Sequence, residues 1–322
     1  MKKKILAVIL VLVMVSGLAA CGNKEKKEDS DGTGTSSGKS QKIAYCINSS
    51  TDTFEVYVYE GAKKYCEEKG IELVLVDGED DTATQLSKMD SICESGVDGV
   101  VLVPVDTNGD GSEYRKIADE YDVPLVSAVR QCQSAWVMVS TDSSEAGKMQ
   151  GEYIVENYGE KLDVALLVGI LGSEDMTKRT ESFKEVLSKY PDVNIVFEDC
   201  ANWNRDEGMA IAENWIQSKK NIDVVVANND EMAIGAGLAL EASDMLGDVA
   251  VIGIDAQENG LAAMEDGILT ASVFQPAGEQ GKTAVETVLD CINGKYTGEK
   301  TEWVQINFEM VTQDNYKDYI QQ

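Results

Sequence analysis

The chain has 322 residues, with 57 acidic residues against 28 lysines and arginines, a net charge of −29 and no histidine. Nucleic acids and anionic membrane surfaces repel so acidic a chain, which argues against both as partners. Without histidine, neither a Ser-His-Asp triad nor a histidine metal site can be built.

The first 21 residues have the pattern of an export signal. Three lysines at positions 2–4 precede an apolar stretch from Ile5 to Val15, and Leu-Ala-Ala-Cys follows at positions 18–21. The apolar stretch is shorter than a transmembrane helix requires. The Leu-Ala-Ala-Cys motif resembles the signal of bacterial lipoproteins, which implies cleavage before Cys21 and lipid attachment to its thiol. The alternative is an ordinary secretory signal in which the cysteine is incidental.

Two segments are therefore expected before the folded part, a signal peptide at residues 1–20 and a lipidated tether at residues 21–41. The tether is rich in Gly, Ser and charged residues and has almost no large apolar side chain, which predicts a flexible chain. Because the signal holds three lysines and no acidic residue, its removal leaves 25 basic residues against 57 acidic ones, a net charge of −32.

From Lys42 onward, strand-like apolar runs alternate with helix-like amphipathic segments. A second series of the same kind opens at Ser143 and closes at Gln275. Continuous apolar runs are typical of parallel strands that are buried on both faces. The pattern predicts an α/β protein with two doubly wound parallel-sheet domains. The strand candidates of the first half are residues 42–48, 71–78, 97–106, 124–129 and 136–141.

The last segment is longer than the second sheet needs. Residues 277–294 form one more amphipathic helix pattern, and residues 302–312 form one more strand-like run. We infer that the chain crosses back to the first domain, which makes the hinge several strands wide. The predicted N-terminal lobe comprises residues 42–141 and 276–306, and the predicted C-terminal lobe comprises residues 142–275 and 307–322.

Polar and aromatic residues follow the strand candidates in both halves. Asn229, Asp255 and Gln275 stand at the carboxyl ends of the runs VVVANND, VAVIGID and TASVFQ. Open α/β sheets bind ligands at the carboxyl ends of their strands. We therefore predict one ligand site that two lobes close like a clamp. The residues that follow the other major strands in the same way are Asp52, Phe54, Arg130, Asp175, Arg179 and Trp203.

Several motifs carry a family resemblance across the whole chain from Lys42. The strongest is ANNDEMAIGA at residues 227–236, and the others are DTF at 52–54, KRT at 178–180, ANW at 201–203, IDA at 254–256 and FQP at 274–276. In this order they resemble the sugar-binding proteins of bacterial ABC importers, the type I periplasmic binding proteins of the ribose- and galactose-binding cluster. The resemblance implies a monosaccharide ligand, an ABC permease as partner, a monomer without cofactor, and no catalysis.

The residue types suit a sugar on chemical grounds as well. A pyranose ring has two apolar faces, which Phe54 and Trp203 would cover, and an edge of hydroxyl groups that donate and accept. A missing or inverted hydroxyl would leave a buried charge unpaired, so such a site selects among sugars. The groups around the edge would be the carboxylates of Asp52, Asp175 and Asp255, the guanidinium groups of Arg130 and Arg179, and the amides of Asn229 and Gln275.

The likeness to known sugar sites is mixed. The residues that resemble the galactose/glucose type are Asp52, Phe54, Asp175, Arg179 and Trp203. Those that resemble the ribose type are Arg130 and Gln275. Val129 stands where both types carry a polar residue, Ser173 stands where the galactose type has an imidazole, and the acidic calcium loop of that type is missing. We therefore favour a galactose- or glucose-like hexose, then a ribose-like pentose, and expect no bound metal.

Some candidates have a purely structural alternative. Asn229 or Asp230 can be the N-cap of the helix that follows, and Asp255 can cap the helix pattern that starts near residue 258. Arg179 can form an ion pair with Asp175, one helical turn away.

The aromatic candidates can be core residues instead. Trp215 is expected in the core because it shares a helical face with Ile211 and Ala212, whereas Trp203 has polar neighbours in a loop. Phe54 stands at a helix start, where stacking on a ligand and packing in the core are both open.

The cysteines and two short motifs are expected to carry no chemistry. Beyond Cys21, cysteines stand at positions 46, 66, 93, 132, 200 and 291 without a C-x-x-C pair, so we expect core packing rather than disulfides or metal ligation. The stretch 106–117 begins like an EF-hand loop but ends in Ile117 instead of Glu. The stretch GEQGKT at 278–283 lacks the first glycine of a phosphate loop.

Three other functions share parts of this pattern. A ligand sensor that reports to a membrane receptor or kinase would have the same fold. An exported sugar-processing enzyme would use carboxylates such as Asp52 and Asp175 as acid and base. A sugar-responsive repressor is disfavoured because the export signal occupies the place of its DNA-binding domain.

Overall fold

The computed structural model describes residues 40–320, so the predicted signal, Cys21 and nearly all of the predicted tether lie outside the described residues. Over this range the chain forms twelve strands and nine α-helices, followed by a short 3₁₀ helix at Tyr316–Asp318. Within it, no helix combines the length and the apolar character needed to cross a membrane.

The strands are β1 (Lys42–Ile47), β2 (Glu72–Asp77), β3 (Gly99–Leu102), β4 (Leu125–Ala128), β5 (Val137–Thr141), β6 (Lys161–Val168), β7 (Asp192–Cys200), β8 (Val224–Ala227), β9 (Ala250–Asp255), β10 (Ala271–Phe274), β11 (Glu302–Ile306) and β12 (Glu309–Thr312). The helices are α1 (Thr53–Lys69), α2 (Thr82–Glu94), α3 (Ser112–Glu120), α4 (Ser143–Tyr158), α5 (Glu174–Leu187), α6 (Arg205–Gln217), α7 (Asp230–Ala242), α8 (Glu258–Glu265) and α9 (Ala277–Ile292).

The strands form two six-stranded sheets. The first has the order β11-β5-β4-β3-β1-β2 and is parallel throughout. The second has the order β12-β10-β9-β8-β6-β7 and is parallel except for β12, which runs antiparallel to β10. We call the first sheet with its helices the N-terminal lobe and the second the C-terminal lobe. The predicted fold class, two doubly wound domains, is confirmed.

The chain passes between the two sheets three times. It leaves the first sheet after β5, returns to it after β10, and leaves again after β11. The predicted return of the chain through a helix and a strand is thus observed as α9 and β11. Helix α9 packs on α1 and on the strands β3, β4 and β5 of the first sheet. Three connections therefore make up the hinge.

Each sheet has an apolar core on both of its faces. In β1, Ile43, Ala44, Tyr45 and Cys46 are all fully buried, although successive side chains point to opposite faces. This burial explains the unbroken apolar runs in the sequence, because helices cover both faces of the sheet.

Neighbouring helices approach closely at glycine positions. A Cβ atom on Gly281 of α9 would lie 1.8 Å from the carbonyl oxygen of Val58 in α1. One on Gly147 of α4 would lie 1.9 Å from the carbonyl oxygen of Arg179 in α5. No side chain fits at either crossing, so Gly147 allows α5, with Arg179, to approach α4 closely.

The cysteines and the two short motifs have local structural roles. Five of the six cysteines in the described range are buried, and Cys200 is half-buried. Asp106 accepts a hydrogen bond from the Asn108 amide at 2.8 Å, and Asp110 accepts one from the Ser112 amide at 3.0 Å. Residues 278–283 lie within α9. The expected core packing is confirmed for the five buried cysteines.

Candidate ligand-binding cleft

A cavity of about 780 Å³ lies between the two lobes, at the carboxyl ends of their strands. This volume is within the range of about 300–1,000 Å³ typical of small-molecule sites. All nine residues predicted from the sequence line it. The N-terminal lobe contributes Asp52, Phe54 and Arg130. The C-terminal lobe contributes Asp175, Arg179, Trp203, Asn229, Asp255 and Gln275.

On the N-terminal wall, Asp52 fixes the start of α1. It is the N-cap of this helix, and its Oδ1 atom accepts hydrogen bonds from the amides of Phe54 at 3.1 Å and Glu55 at 3.3 Å. The cap satisfies two amides that have no partner inside the helix. The other oxygen of Asp52 is left for Arg130, which lies 3.6 Å away through its Nη2 atom.

Arg130 enters the cavity directly after β4 and has two acidic neighbours. Its Nε atom lies 3.3 Å from Oε1 of Glu55, and its Nη1 atom donates to the Pro104 carbonyl at 3.5 Å. The preceding Val129 is buried and has a φ of 62°, a left-handed conformation that β-branched residues rarely adopt. Val129 packs on the core of the first sheet and also lines the cavity, where it contributes an apolar side chain next to Arg130.

Glu55 is a cavity residue that the sequence interpretation missed. It is only 2% exposed, and its Oε2 atom is buried without a hydrogen-bond partner. Burial raises the pKa of Glu55 to about 8 against the opposing effect of Arg130, and the negative charges of Asp52 and Asp175 add to the rise. A glutamate three residues after an N-cap predicts a capping box, in which the side chain bonds back to the cap. Here the side chain turns towards Arg130 instead.

On the C-terminal wall, Arg179 is held by neutral partners. Its Nη1 atom donates to the Asn228 carbonyl at 2.7 Å, and its Nη2 atom donates to Oε1 of Gln275 at 2.8 Å. The amide nitrogen of Gln275 donates to Thr141 at 3.3 Å, so both ends of this side chain are engaged. Arg179 is 5% exposed, and its Nε atom is buried without a partner.

The alternative of an Arg179–Asp175 ion pair is wrong. Asp175 accepts a hydrogen bond from the Ser143 hydroxyl at 2.5 Å. Arg179 points into the lobe, towards Asn228 and Gln275, because these partners are presented by the ends of β8 and β10. Helical spacing brings two side chains to one face but does not decide between a near neighbour and a buried acceptor. Asp175 thus faces the cavity without this arginine.

Asp230 lies behind the cavity and shapes the turn that carries Asp255. It is fully buried, accepts a hydrogen bond from Ser272 at 2.6 Å through Oδ1, and accepts one from the Ala256 amide at 2.7 Å through Oδ2. Burial raises the pKa of Asp230 to about 7, although both hydrogen bonds oppose the rise. Asp255 and Ala256 have φ values of 126° and 46°. Residues with a positive φ keep this conformation only where neighbouring groups stabilise it. Here the hydrogen bond from the Ala256 amide to Asp230 does so.

Asp255 and Asn229 differ in their structural roles. Asp255 does not cap α8, because the N-cap of that helix is Gln257. Burial raises the pKa of Asp255 well above its usual range, although Arg179 opposes the rise. Asn229 is the N-cap of α7, and its Oδ1 atom accepts from the Met232 amide at 3.0 Å. The structural alternative is thus realised for Asn229, whose Nδ2 atom donates to the Trp203 carbonyl at 3.3 Å.

The two aromatic candidates lie on opposite walls. Phe54 is partly exposed and packs on the core of the first sheet. Trp203 has a φ of 62°, and its ring covers Gly169, where a Cβ atom would lie 2.1 Å from the ring. The Arg179 guanidinium lies 5.8 Å from the centroid of the same ring. Trp215 is buried in the core, as predicted, and it stacks on Phe197.

The cavity rim has an ion pair that the sequence interpretation also missed. Arg205 contacts Glu231 through two nitrogen atoms, at 2.7 and 3.0 Å, and Asn259 donates to Glu231 at 2.5 Å. These residues start α6, α7 and α8. The charges of Arg205 and Glu231 balance each other.

Two α/β lobes joined by three connections, with polar and aromatic groups of both lobes around one cavity, define a two-lobed solute-binding protein. Residues 43–296 match the periplasmic binding protein domain family. A xylitol-binding protein of Mycolicibacterium smegmatis is 31% identical over 304 residues, which are 93% of this chain and 82% of the relative. The ribose import binding protein of Bacillus subtilis is 28% identical over 295 residues, 91% and 94% of the two chains.

A solved structure agrees with these matches. An ABC transporter solute binding protein from Bacillus halodurans with bound myo-inositol has a TM-score of 0.80 and 32% identity, and the alignment covers 89% of this chain and 99% of the other. The chain belongs to the periplasmic binding protein domain family. It is a binding protein and not an enzyme, as the resemblance implied.

Proposed function

We propose that the protein is the extracytoplasmic solute-binding lipoprotein of an ABC importer and binds a monosaccharide between its lobes without altering it. The observation that carries this proposal is the convergence of the nine predicted residues on one cavity. Two aromatic rings on opposite walls suit the two faces of a sugar ring, and the charged and amide groups between them suit its hydroxyl groups.

The names of the relatives widen the range of candidate ligands. These names mention xylitol, ribose and myo-inositol, and all three compounds have a row of neighbouring hydroxyl groups. A galactose- or glucose-like hexose is our first candidate because Asp52, Phe54, Asp175, Arg179 and Trp203 fit that type. A ribose-like pentose comes next, and cyclic or open polyols belong in the same panel.

Binding would act through closure of the hinge. A ligand that touches both walls binds the closed form more tightly than the open form and shifts the population towards it. The closed form would then present its surface to the permease. We keep the predicted lobe limits, 42–141 with 276–306 and 142–275 with 307–322, and a monomer as parts of this proposal.

The membrane attachment is a separate part of the proposal. Cys21 and the signal lie outside the described residues, so the Leu-Ala-Ala-Cys motif alone supports lipidation. Expression of the Cys21→Ser variant in a bacterial host tests it. The parent should partition into the detergent phase of a membrane extract, whereas the variant should not. Equal partition of both would contradict the lipid anchor.

A thermal-shift screen of the purified protein tests the sugar proposal. A ligand present at one hundred times its dissociation constant adds about 2.7 kcal/mol to the free energy of unfolding. A rise in Tm with one or a few hexoses, pentoses or polyols supports the proposal. No rise with any member of the panel would contradict it.

A further inference from the structure

Two exposed aliphatic side chains line the cavity, although most of its lining is polar or charged. Among the large apolar residues that are exposed between positions 40 and 320, Leu171 is the most exposed, at 70%, and Ile170 is 49% exposed. These two are the ones of that group that line the cavity. They are adjacent in the chain, so together they form an apolar surface that no protein group covers.

The two side chains are presented by an ordered turn. The amide of Ser173 donates to the carbonyl of Ile170 at 3.1 Å, and Gly172 has a φ of 86°. Type II turns have this hydrogen bond and a positive φ at their third residue. The turn ends at the N-cap of α5, because the Oγ atom of Ser173 accepts a hydrogen bond from the Met176 amide at 3.4 Å. The turn and the start of α5 thus hold Leu171 at the cavity.

The apolar surface continues from the ring that we expect to stack on the sugar. Gly169, directly before the turn, lies under the Trp203 ring, where a Cβ atom would be 2.1 Å from the ring. Consecutive Cα atoms are about 3.8 Å apart, so the Cα atom of Leu171 lies within about 8 Å of that of Gly169. A sugar stacked on Trp203 therefore has aliphatic side chains within reach of its substituents.

The cavity also has room for more than one sugar ring. At the packing density of a protein interior, a hexose fills roughly 200 Å³, which is about a quarter of the cavity volume of about 780 Å³. The remaining volume can hold a substituent of the ring together with water. An apolar substituent gains most from Ile170 and Leu171, because the contact removes apolar surface of both partners from water.

We propose that the ligand is a glycoside, in which the sugar ring lies between the lobes and an apolar group on its anomeric oxygen packs on Ile170 and Leu171. This inference rests on the proposed function and narrows the ligand to a chemical class. The opposite lobe in the closed form and the permease are the competing partners of this apolar surface. The ligand is favoured over both because the two side chains line the same cavity as the nine predicted residues.

Isothermal titration of the protein with matched compounds tests the inference. The probes are glucose, galactose and ribose, each as the free sugar, as the methyl glycoside and as the n-butyl glycoside, in both anomeric forms. We expect at least one butyl glycoside to bind about tenfold more tightly, or better, than its methyl counterpart. Burial of two of the three additional methylene groups suffices for this, at about fourfold each.

Substitutions identify the residues responsible. Leu171→Ser and Ile170→Ser should each reduce the ratio between butyl and methyl glycoside affinities severalfold, because each removes part of the apolar surface. Leu75→Ser makes the same change at an exposed leucine of the edge strand β2, outside the cavity, and should leave the ratio unchanged. Leu171 is exposed, so the fold should tolerate its substitution.

The outcomes separate the inference from the proposed function. If no butyl glycoside binds more tightly than its methyl counterpart, the inference is overturned, while binding of a free sugar keeps the proposed function. If neither free sugars nor glycosides bind, both fall.

The variants separate the competing partners of the apolar surface. If Leu171→Ser weakens butyl and methyl glycosides by the same factor, the residue serves closure of the lobes, and the inference is overturned. If neither Leu171→Ser nor Ile170→Ser changes any affinity, the surface has a partner other than the ligand, which overturns the inference as well.

Discussion

The two walls of the cavity hold their arginines in different ways. On the C-terminal wall, Arg179, Gln275 and Asn229 direct donors or acceptors at protein partners at 2.7 to 3.3 Å. On the N-terminal wall, Arg130 holds its acids at 3.3 and 3.6 Å, and one oxygen of Glu55 has no partner. The fold therefore pre-organises the C-terminal wall through shorter contacts than those of Arg130 on the N-terminal wall, and each wall has one buried polar atom without a partner, Nε of Arg179 and Oε2 of Glu55.

Substitution of each arginine in turn tests this difference between the walls, and we expect it to have the largest effect on the free energy of unfolding. Arg179→Ala leaves the Asn228 carbonyl and the Gln275 oxygen buried without a donor, which should lower the free energy of unfolding by about 2–4 kcal/mol. Arg130→Ala should cost less, because Glu55 can take up a proton when its cation is lost. Urea denaturation at neutral pH measures both. An equal or larger loss for Arg130→Ala would contradict the comparison.

Substitution of Asp230 should have the next largest effect. Asp230→Ala removes the acceptor of the Ser272 hydroxyl and of the Ala256 amide, so we expect a loss of about 1–3 kcal/mol and weaker ligand binding through a displaced Asp255. Ser272→Ala is the matched control, since it leaves the Ala256 bond intact and should weaken binding less. Denaturation together with titration of the ligand distinguishes the two variants. Parent-like binding by Asp230→Ala would show that the turn at Asp255 and Ala256 keeps its conformation without Asp230.

The pH dependence of stability should report on the N-terminal wall. The folded-state pKa of Glu55, about 8, exceeds its ordinary value of 4.5, so its contribution is complete at low pH and is lost as the pH rises through about 8. The ligand-free protein should therefore lose stability between about pH 5 and pH 9. Asp230 and Asp255, whose pKa values are also raised by burial, act in the same direction.

The Glu55→Gln variant measures how much of this pH dependence of stability is due to Glu55. Glu55→Gln should flatten the decline by up to about 5 kcal/mol, whereas Glu60→Gln, on the exposed side of the same helix, should leave it as it is. Urea denaturation across the pH range provides the measurement. A slope that is the same in Glu55→Gln and in the parent would mean that Glu55 is ionised throughout.

The N-cap Asn229 should show the smallest effect on stability. Asn229→Asp keeps an oxygen for the Met232 amide but loses the donor to the Trp203 carbonyl, so stability should change by less than about 0.5 kcal/mol. Asn229→Ala loses the cap as well and should cost about 1 kcal/mol. Thermal unfolding of both variants measures the difference. A larger loss for Asn229→Asp than for Asn229→Ala would contradict the assigned cap.

The sequence predicted the fold and the composition of the cavity well because both follow from strand order. Strands buried on both faces, as β1 is, leave unbroken apolar runs, and residues at their carboxyl ends meet at one edge of the sheet. The position of Asp255 or Gln275 could therefore be inferred without knowledge of any side-chain contact.

Side-chain partners could not be predicted in the same way. Glu55 has the spacing of a capping-box residue, but its side chain contacts Arg130, which follows a strand more than seventy residues later in the chain. Arg179 had a candidate partner one helical turn away, but its actual partners come from β8 and β10, more than forty residues later in the chain. Local spacing restricts which neighbours are within reach, whereas packing decides which of them is used.

Calorimetric titration of one variant from each wall tests most directly whether both lobes bind the same ligand. The variants are Phe54→Ala and Trp203→Ala, the ligand is the panel member with the largest rise in Tm, and Trp303→Ala on an outer strand is the control. Each wall variant should lose about tenfold or more in affinity, about 1.4 kcal/mol or more, while the control binds like the parent. Parent-like affinity of either Phe54→Ala or Trp203→Ala would contradict a ligand held between the two lobes.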